Sequence, residues 1–481
     1  MGEKSGAPRA LIVAYDFPPH AAIGTMRTLR LVRHLHTAGW HVDVLTGSPE
    51  SYLPGTPVDR ALEERVPAGV RVLRTNAFRG FDAMTGAIRR SRPGHDGTSA
   101  GPTGPRGGEQ PGRRPPEGLS GVARRLKDRI DLVLTVPDKE SGWIAPAAAR
   151  GIRHMLVSGR PDVIYSSAPP WSVQVVAWIL AQASGRPWVA DFRDPWARAP
   201  GRNWQRAFRQ RAATTLECAV VSRAQAVLFV TRANLAEFSE VHGAEQASRF
   251  HLVPNGCDPS EFDQRVEPPA GPMFVLLHAG SFYGPRNPLV IIHAVARLIE
   301  RRLLDRCEFR LRLLGTMALP TDLSAECRRL GIADVVEVLP RVTRAESLRA
   351  LQTASALLLV QTGTTMSIPG KAYEYLAAGR PILSLSDEGE TADLVRASGL
   401  GVSVSPADPP EKIDAAVLQV VEMARHNHRA ADVRLYDGRV HAADTARILA
   451  RFVPPARVLA PEADSLAVGQ TPPAAGEEAG R

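Results

Sequence analysis

Short apolar runs alternate with longer amphipathic stretches along most of the chain. The first run, ALIVAY at 10–15, reads as a strand. A turn carrying Pro18, Pro19 and Gly24 follows, then a helical pattern that reaches residue 38 and stops at Gly39. HVDVLT is the next strand. VRVLR, DVIYSS, WVADF and AVLFV continue the series, with helical patterns between most of them. A second series consists of FVLLHAG, FRLRLLG, VVEVL, ALLLV, PILSLS and GVSVS. Nearly continuous apolar strands separated by helices belong in parallel sheets covered on both faces. The pattern predicts an α/β protein of two Rossmann-like parallel-sheet domains facing a cleft, with PPAGP at 268–272 as the junction. In open sheets of this kind ligands bind beyond the carboxyl ends of the strands. Every candidate site below follows such an end.

The segment 91–118 interrupts the pattern: 14 of its 28 residues are Gly or Pro, and none is Val, Ile, Leu or Phe. Too little can be buried there to offset the entropy of ordering, so disorder is expected. The tail 454–481 has the same character. The full 481 residues suit two domains of roughly 200 each plus such segments.

Charge narrows the partners. The formal net charge is +9, and 54 of the 59 basic residues are arginine. That balance favours phosphorylated small molecules, an anionic membrane face or nucleic acid. No RNP, KH, zinc-finger or helix-turn-helix signature appears and the charge is dispersed, so no nucleic-acid partner is expected. The stretch GRNWQRAFRQR at 201–211 could lie on a bilayer and approach a lipid-linked acceptor, or be a solvated arginine-rich helix. Cys218, Cys257, Cys307 and Cys327 share no CxxC spacing, which points to a reducing compartment. The apolar run behind the polar N-terminus is too short for a signal peptide, and no run reaches 18 apolar residues. A cytoplasmic protein is expected, with peripheral contact at the inner membrane face left open.

The densest chemistry lies in IPGKAYEYLAAGRPILSL, residues 368–385. The chain has five lysines, and Lys371 stands directly after a Pro-Gly. Read as a helix, the stretch has Pro369 in the first turn and Gly379 just past the end. The free N–H groups near Ser367, Gly370 and Lys371 then point outward and, with the helix dipole, form an anion site. Gly370 lets a phosphate approach closely and Lys371 adds a point charge. Glu374, three residues on, can accept two hydrogen bonds from a ribose diol. The arrangement suits a nucleoside diphosphate, although Pro-Gly helix starts and Lys–Glu pairs also occur on ordinary surfaces.

This stretch resembles the donor-site helix of bacterial retaining glycosyltransferases of family 4, which have the GT-B fold. Many members carry Pro-Ser/Gly-Lys and then Glu-Tyr-Leu-Ala-Ala-Gly-x-Pro. YDFPPHAAIGTMRTLRLVRHLHTAGWHVDVLT resembles their first strand–loop–helix–strand, VPNGCD at 253–258 their Asn-Gly-x-Asp turn, and HAGSFYGPRNP at 278–288 the opening of their second domain. The match covers roughly residues 9–450 apart from the 91–118 insert. It implies a GT-B protein with an acceptor-side domain at 1–267, a nucleotide-sugar domain at 273–430 and a helix at 431–453 that packs back on the first. It also implies transfer of a sugar from a nucleotide-sugar donor to a hydroxyl acceptor.

The resemblance assigns the ribose hydroxyls to Glu374 and the diphosphate leaving group to Lys371 and Arg286. Ser367, Ile368, Gly370 and Thr365 would line the donor, and Gly24 would close over the diphosphate. DFRDPW at 191–196 stands where many members have a His-Asp beside the sugar. Arg193 and Asp194 occupy that place, so the histidine is missing. Asp191, Asp194 and Trp196 could orient the acceptor or the sugar, or the stretch could hold a buried Asp–Arg pair at the strand end. SSAPPW could line the acceptor side through Ser166, Ser167 and Trp171, or be a plain turn. Arg27 could face cleft or solvent. The family often has a second glutamate eight positions before the first, and Met366 stands there. That leaves the sugar open, with Thr364 and Thr365 as weaker donors of hydrogen bonds. Glu390 could sit near the nucleotide or simply favour its own helix N-terminus.

No two aspartates are spaced i, i+2, and the thirteen histidines form no HExxH. Two fixed cations and a helix N-terminus can stabilise a departing diphosphate instead. Metal-independent transfer is expected, with no cofactor beyond the nucleotide-sugar substrate. Retention of configuration is implied by the resemblance alone. An epimerase or phosphorylase on the same fold, or a nucleotide-sugar-binding protein without chemistry, are the alternatives. The acceptor could be lipid-linked or a small metabolite.

Overall fold

The computed structural model describes residues 6–53, 55–78, 136–197, 207–263, 266, 271, 273–425 and 431–457. The segment 91–118, most of the 268–272 junction, residues 201–206 of the basic stretch and the tail from 458 lie outside the described residues.

Seven strands form the first sheet: β1 (Arg9–Val13), β2 (His41–Gly47), β3 (Arg71–Thr75), β4 (Val163–Ala168), β5 (Trp188–Phe192), β6 (Ala226–Phe229) and β7 (Phe250–Leu252). All run parallel in the order β3-β2-β1-β4-β5-β6-β7. Helices α1 (Ile23–Thr37), α2 (Ala61–Glu64), α3 (Ile144–Ser158), α4 (Ser172–Ser184), α5 (Ala207–Arg223) and α6 (Arg232–Ala247) accompany it. The two-residue period of a strand decides which face each side chain takes. Leu11 and Val13 enter one core with Met155 of α3 and Leu180 of α4. Ala10 and Ile12 enter the opposite core with Leu31 and Leu35 of α1.

The second sheet contains β8 (Phe274–Ala279), β10 (Phe309–Leu314), β12 (Val336–Leu339), β13 (Ala356–Gln361), β14 (Ile382–Ser386) and β15 (Gly401–Val404). Its order is β12-β10-β8-β13-β14-β15, again parallel, with the small pair β9 (Phe282–Tyr283) and β11 (Met317–Ala318) beside it. Its helices are α7 (Leu289–Glu300), α8 (Leu323–Arg329), α9 (Arg344–Thr353), α10 (Gly370–Ala378), α11 (Glu390–Ala397) and α12 (Pro410–Arg425). Strands β7, β9 and β11 have three, two and two residues, too few to show a period in the sequence. Strand order reverses between β1 and β4 in one sheet and between β8 and β13 in the other. Loops leave a crevice at such reversals.

The chain then returns to the first domain. In α13 (Gly438–Ala450), Ala446 and Leu449 join the core that contains Leu31 and Leu35 of α1. Just before it, Cys257 N–H donates to Tyr436 O and Gly438 N–H to Cys257 O, both at 2.8 Å. A Cβ on Gly256 would lie 2.6 Å from Gly438 N, so only glycine permits this approach. Order persists through the short turn Pro455–Arg457, where Arg457 pairs with Asp162 at 3.1 Å. Residues 454–457 therefore do not belong to the disordered tail expected from 454.

Candidate functional site

The reversal at β8 and β13 brings two loops together. The loop after β8 carries Gly280 and Arg286; the loop after β13 leads into α10 with Lys371 and Glu374. Helix α10 starts after Pro369, whose backbone is extended, and ends at Gly379 in the left-handed region with φ 66°. No side chain caps its start. Among the described residues, nothing accepts from the amides of Gly370 and Lys371, whereas Ala372 N–H bonds to Pro369 O at 2.9 Å. Two outward amides thus remain open at the positive end of the helix.

Lys371 reaches across to the β8 loop. A Cβ on Gly280 would fall 1.1 Å from Lys371 Nζ, so the absent side chain makes room for the ammonium. Gly280 also has φ +152°, a conformation side chains disfavour. Among the described residues the ammonium has no hydrogen bond or ion pair within reach. Burial pushes Lys371 down to about 8; the Glu374 carboxylate opposes this and the Arg286 charge adds to it. Arg286 is held over the Tyr283 ring at 4.8 Å, with Nη1 donating to Tyr283 Oη at 2.6 Å. Glu374 is one helical turn from Lys371, and its Oε1 accepts from Arg344 at 2.9 Å.

His278 stands behind these cations, and the sequence reading missed it. It is 3% exposed, its Nδ1 lies 2.8 Å from Leu358 O, and Nε2 has no partner. Burial, then the Lys371 charge, holds it down at about 3, against the pull of the Leu358 carbonyl. It stays neutral, with Nδ1–H donating and Nε2 bearing a lone pair. A histidine in a strand otherwise made of FVLLHA was the available signal.

Two hydrogen bonds close the carboxyl ends of the sheets against each other. Thr231 Oγ1 donates to Met366 O at 2.8 Å, and Ala233 N–H at the start of α6 donates to Glu390 Oε1. Glu390 thus spends one oxygen on the other domain. Thr365 is exposed and its carbonyl accepts from Glu390 N–H at 2.9 Å. Ser367 O accepts from Thr391 Oγ1 at 2.9 Å, and Ile368 packs on the core under α10. The loop 364–368 is therefore a pinned support for the helix start.

In the first domain several expected contacts turn inward. Asp191 is 0% exposed and binds Arg27 through two bonds of 2.8 and 2.9 Å. Tyr165 and Ser167 also donate to Asp191, at 2.7 and 2.9 Å. Arg27 continues to Val253 O and Pro254 O at 3.0 and 2.8 Å. Burial would lower the Arg27 pKa, but Asp191 overrides it and raises it. Arg27 faces neither cleft nor solvent; it nails α1 to β5 and to the VPNGCD turn. Trp171 and Trp196 are buried and stack at 4.8 Å. Asp191, Ser167, Ser166, Trp171 and Trp196 are thus interior residues, and the acceptor-side reading of them is corrected on that ground.

What faces the β1–α1 loop instead is Arg193. Its Nη2 donates to Asp16 Oδ2 at 3.1 Å and to Pro169 O. Gly24, in the first turn of α1 and not in the preceding turn, makes room: its missing Cβ would overlap Arg193 Nη1. Asp16 Oδ1 lies 3.0 Å from His20 Nδ1. Burial would raise the Asp16 carboxyl, but His20 and Arg193 together hold it below its usual range. A histidine does therefore stand at this domain's strand ends, on the first loop and not after β5. Asp194 is exposed next to Arg193. Among the described residues no group of three His, Cys, Asp or Glu side chains gathers as for a metal ion, and no helix is long and apolar enough to cross a membrane.

Two parallel α/β sheets meeting at their strand ends, with an open helix start and two cations at one reversal, define a GT-B architecture. The description "Glycosyl transferase 4-like domain" matches residues 24–256, and "Glycosyl transferases group 1" matches residues 273–423. The chain belongs to the group 1, family 4-like glycosyltransferases. Similar solved structures include sucrose-phosphate synthase from Thermosynechococcus elongatus, at 17% identity and TM-score 0.57 over 92% of this chain and 98% of that one. HepE from Anabaena in complex with UDP is similar at 14% identity and TM-score 0.54, over 92% and 100%. A glycosyltransferase from Rickettsia africae is similar at 10% identity and TM-score 0.55, over 93% and 98%. At these identities the likeness speaks for the fold. No curated protein sequence matches the chain.

Proposed function

We propose that this glycosyltransferase holds a nucleoside-diphosphate sugar on α10 and transfers the sugar to a hydroxyl acceptor without a metal ion. The diphosphate lies at the amides of Gly370 and Lys371, between the Lys371 ammonium and the Arg286 guanidinium. The ribose diol meets Glu374. As the sugar–oxygen bond breaks, negative charge grows on the departing phosphate, where two cations and a helix start are already in place. The neutral His278 keeps a third positive charge out of the pocket and leaves Lys371 free to face the phosphate. The acceptor approaches over the β1–α1 loop that carries Asp16 and His20, with Arg193 facing it from the end of β5. Closure of the two sheets excludes water from the transfer. Retention of configuration rests on the family, as does preference for transfer over epimerisation or phosphorolysis.

The observation that carries this reading is a half-buried ammonium that, among the described residues, has no partner and stands beside two uncapped helix amides. Internal ionic networks satisfy themselves; a site built for an anion leaves its charge unmet. The test is a melting-temperature screen against UDP, GDP and dTDP and their sugars, then release of free nucleoside diphosphate on adding hydroxyl acceptors. A cognate nucleotide raises the melting temperature, and acceptor-dependent release continues in EDTA. No shift with any nucleotide at low salt removes the donor site; release abolished by EDTA and restored by a divalent cation removes the metal-independent step. Release that fails while binding persists favours a binding protein.

A further inference from the structure

We infer that Arg344 is a positioning residue for Glu374, and that it ties the ribose edge of the site to the crossing between the two domains. The inference rests on the donor-site reading above.

Arg344 is the first residue of α9, behind Thr343, which caps the helix in a reciprocal box with Glu346. The backbone that launches its side chain is therefore fixed. Its guanidinium forks between two carboxylates: Nη1 donates to Glu374 Oε1 at 2.9 Å, and Nη2 donates to Glu261 Oε2. Glu261 lies in the turn Pro259–Phe262, where the chain leaves the first domain. Its other oxygen accepts from Arg65 Nη1 at 3.1 Å, and Arg65 Nη2 reaches Asp258 at 3.3 Å. Charges of alternating sign thus run from Arg65 of the first domain through Glu261 and Arg344 to Glu374 on the donor helix.

The geometry has a purpose beyond a surface ion pair. Glu374 has an opposite charge three residues away at Lys371, and such neighbours on a helix attract. Left alone, Glu374 would swing onto the ammonium and satisfy the charge meant for a phosphate. Arg344 outcompetes Lys371 for Oε1 with a planar fork that lysine could not reproduce. Oε2 accepts no hydrogen bond among the described residues and is the oxygen left for a diol. Because the far arm of the fork grips Glu261, the carboxylate keeps its aim only while the crossing turn holds its place.

The test compares nucleotides that differ only in the diol. Dissociation constants are measured by calorimetry for UDP against 2′,3′-dideoxy-UDP, and for GDP against 2′,3′-dideoxy-GDP. The proteins are wild type, Arg344→Met and Glu261→Gln. Wild type should prefer the diol-bearing member of its cognate pair by about tenfold, the scale of hydrogen bonds to a charged acceptor. Arg344→Met should cut that preference below about threefold, and Glu261→Gln should fall between. Should Arg344→Met fold poorly, Glu261→Gln carries the test, since it frees one arm of the fork without touching the donor helix. A wild type that binds both members of a pair equally, or binds dTDP but neither pair, overturns the diol contact and the role of Arg344 while leaving the diphosphate site; one that binds neither pair and no dTDP overturns the donor reading itself. A wild type that discriminates beside variants that discriminate equally well overturns the role of Arg344 alone.

Discussion

The strand ends of the two sheets handle buried polarity in opposite ways. At β5 of the first domain, Asp191 takes donors from Arg27, Tyr165 and Ser167, and Arg27 spends its remaining hydrogens on the VPNGCD turn, at Val253 O, Pro254 O and Asn255 Oδ1. Charge and hydrogen-bonding capacity are used up internally. At β8 and β13 of the second domain, Lys371 and His278 Nε2 have no partner among the described residues, and two helix amides point outward. A buried group left unmet costs stability, so it persists only where something else meets it. Polar groups at corresponding strand ends therefore do different jobs: one cluster holds the architecture, and the other keeps open the donors that the proposed ligand would meet.

Substitutions can break this contrast. The largest effect is expected from Asp191→Ala, which strands Arg27 in the interior. Loss of one partner of a buried pair should lower the unfolding free energy by about 3–5 kcal/mol, read from urea titration, while nucleotide affinity of the folded protein stays unchanged. Lost affinity with intact stability would move Asp191 into the site. Next comes Lys371→Met. Nucleoside-diphosphate affinity should fall by about 10–100-fold, the range for a charge-assisted bond. The melting temperature of the ligand-free protein should nevertheless rise at pH 7, because a half-buried ammonium with no partner among the described residues is removed. A variant that loses stability instead would mark Lys371 as structural.

A pH titration gives the smallest and sharpest effect. The folded pKa of Lys371, about 8, lies below its ordinary value, so the ammonium is charged below pH 8 and lost above it. Diphosphate affinity should be level below pH 8 and fall by at most about tenfold per unit above it. The stability of the ligand-free protein should move the other way. Folding disfavours the charged form, so this residue's contribution rises with pH between 8 and the unfolded value near 10.5. Lys371→Met should flatten both trends.

The sheets were legible because their strands are apolar on both faces, and α10 because Pro369 and Gly379 punctuate it. The partners of the strand-end charges were not. Asp191 has Arg193 two residues away, yet it pairs with Arg27, 164 positions upstream. Strand alternation sends Asp191 toward α1, whereas Arg193 lies past the strand end and turns to Asp16. Glu374 likewise depends on Arg344, which sits 30 residues earlier on another helix. Local sequence shows which groups carry charge; only the folded chain shows which of them are already neutralised.

The two rungs joining Cys257 to Tyr436 and Gly438 have a mechanical consequence. The polypeptide passes between the lobes twice, and the passages lie side by side, stitched to one another. A single connecting strand would allow swivelling in any direction. Two stitched strands favour one axis, as a door hinge does, so a closing swing about them would bring Thr231 to the same carbonyl of Met366 each time.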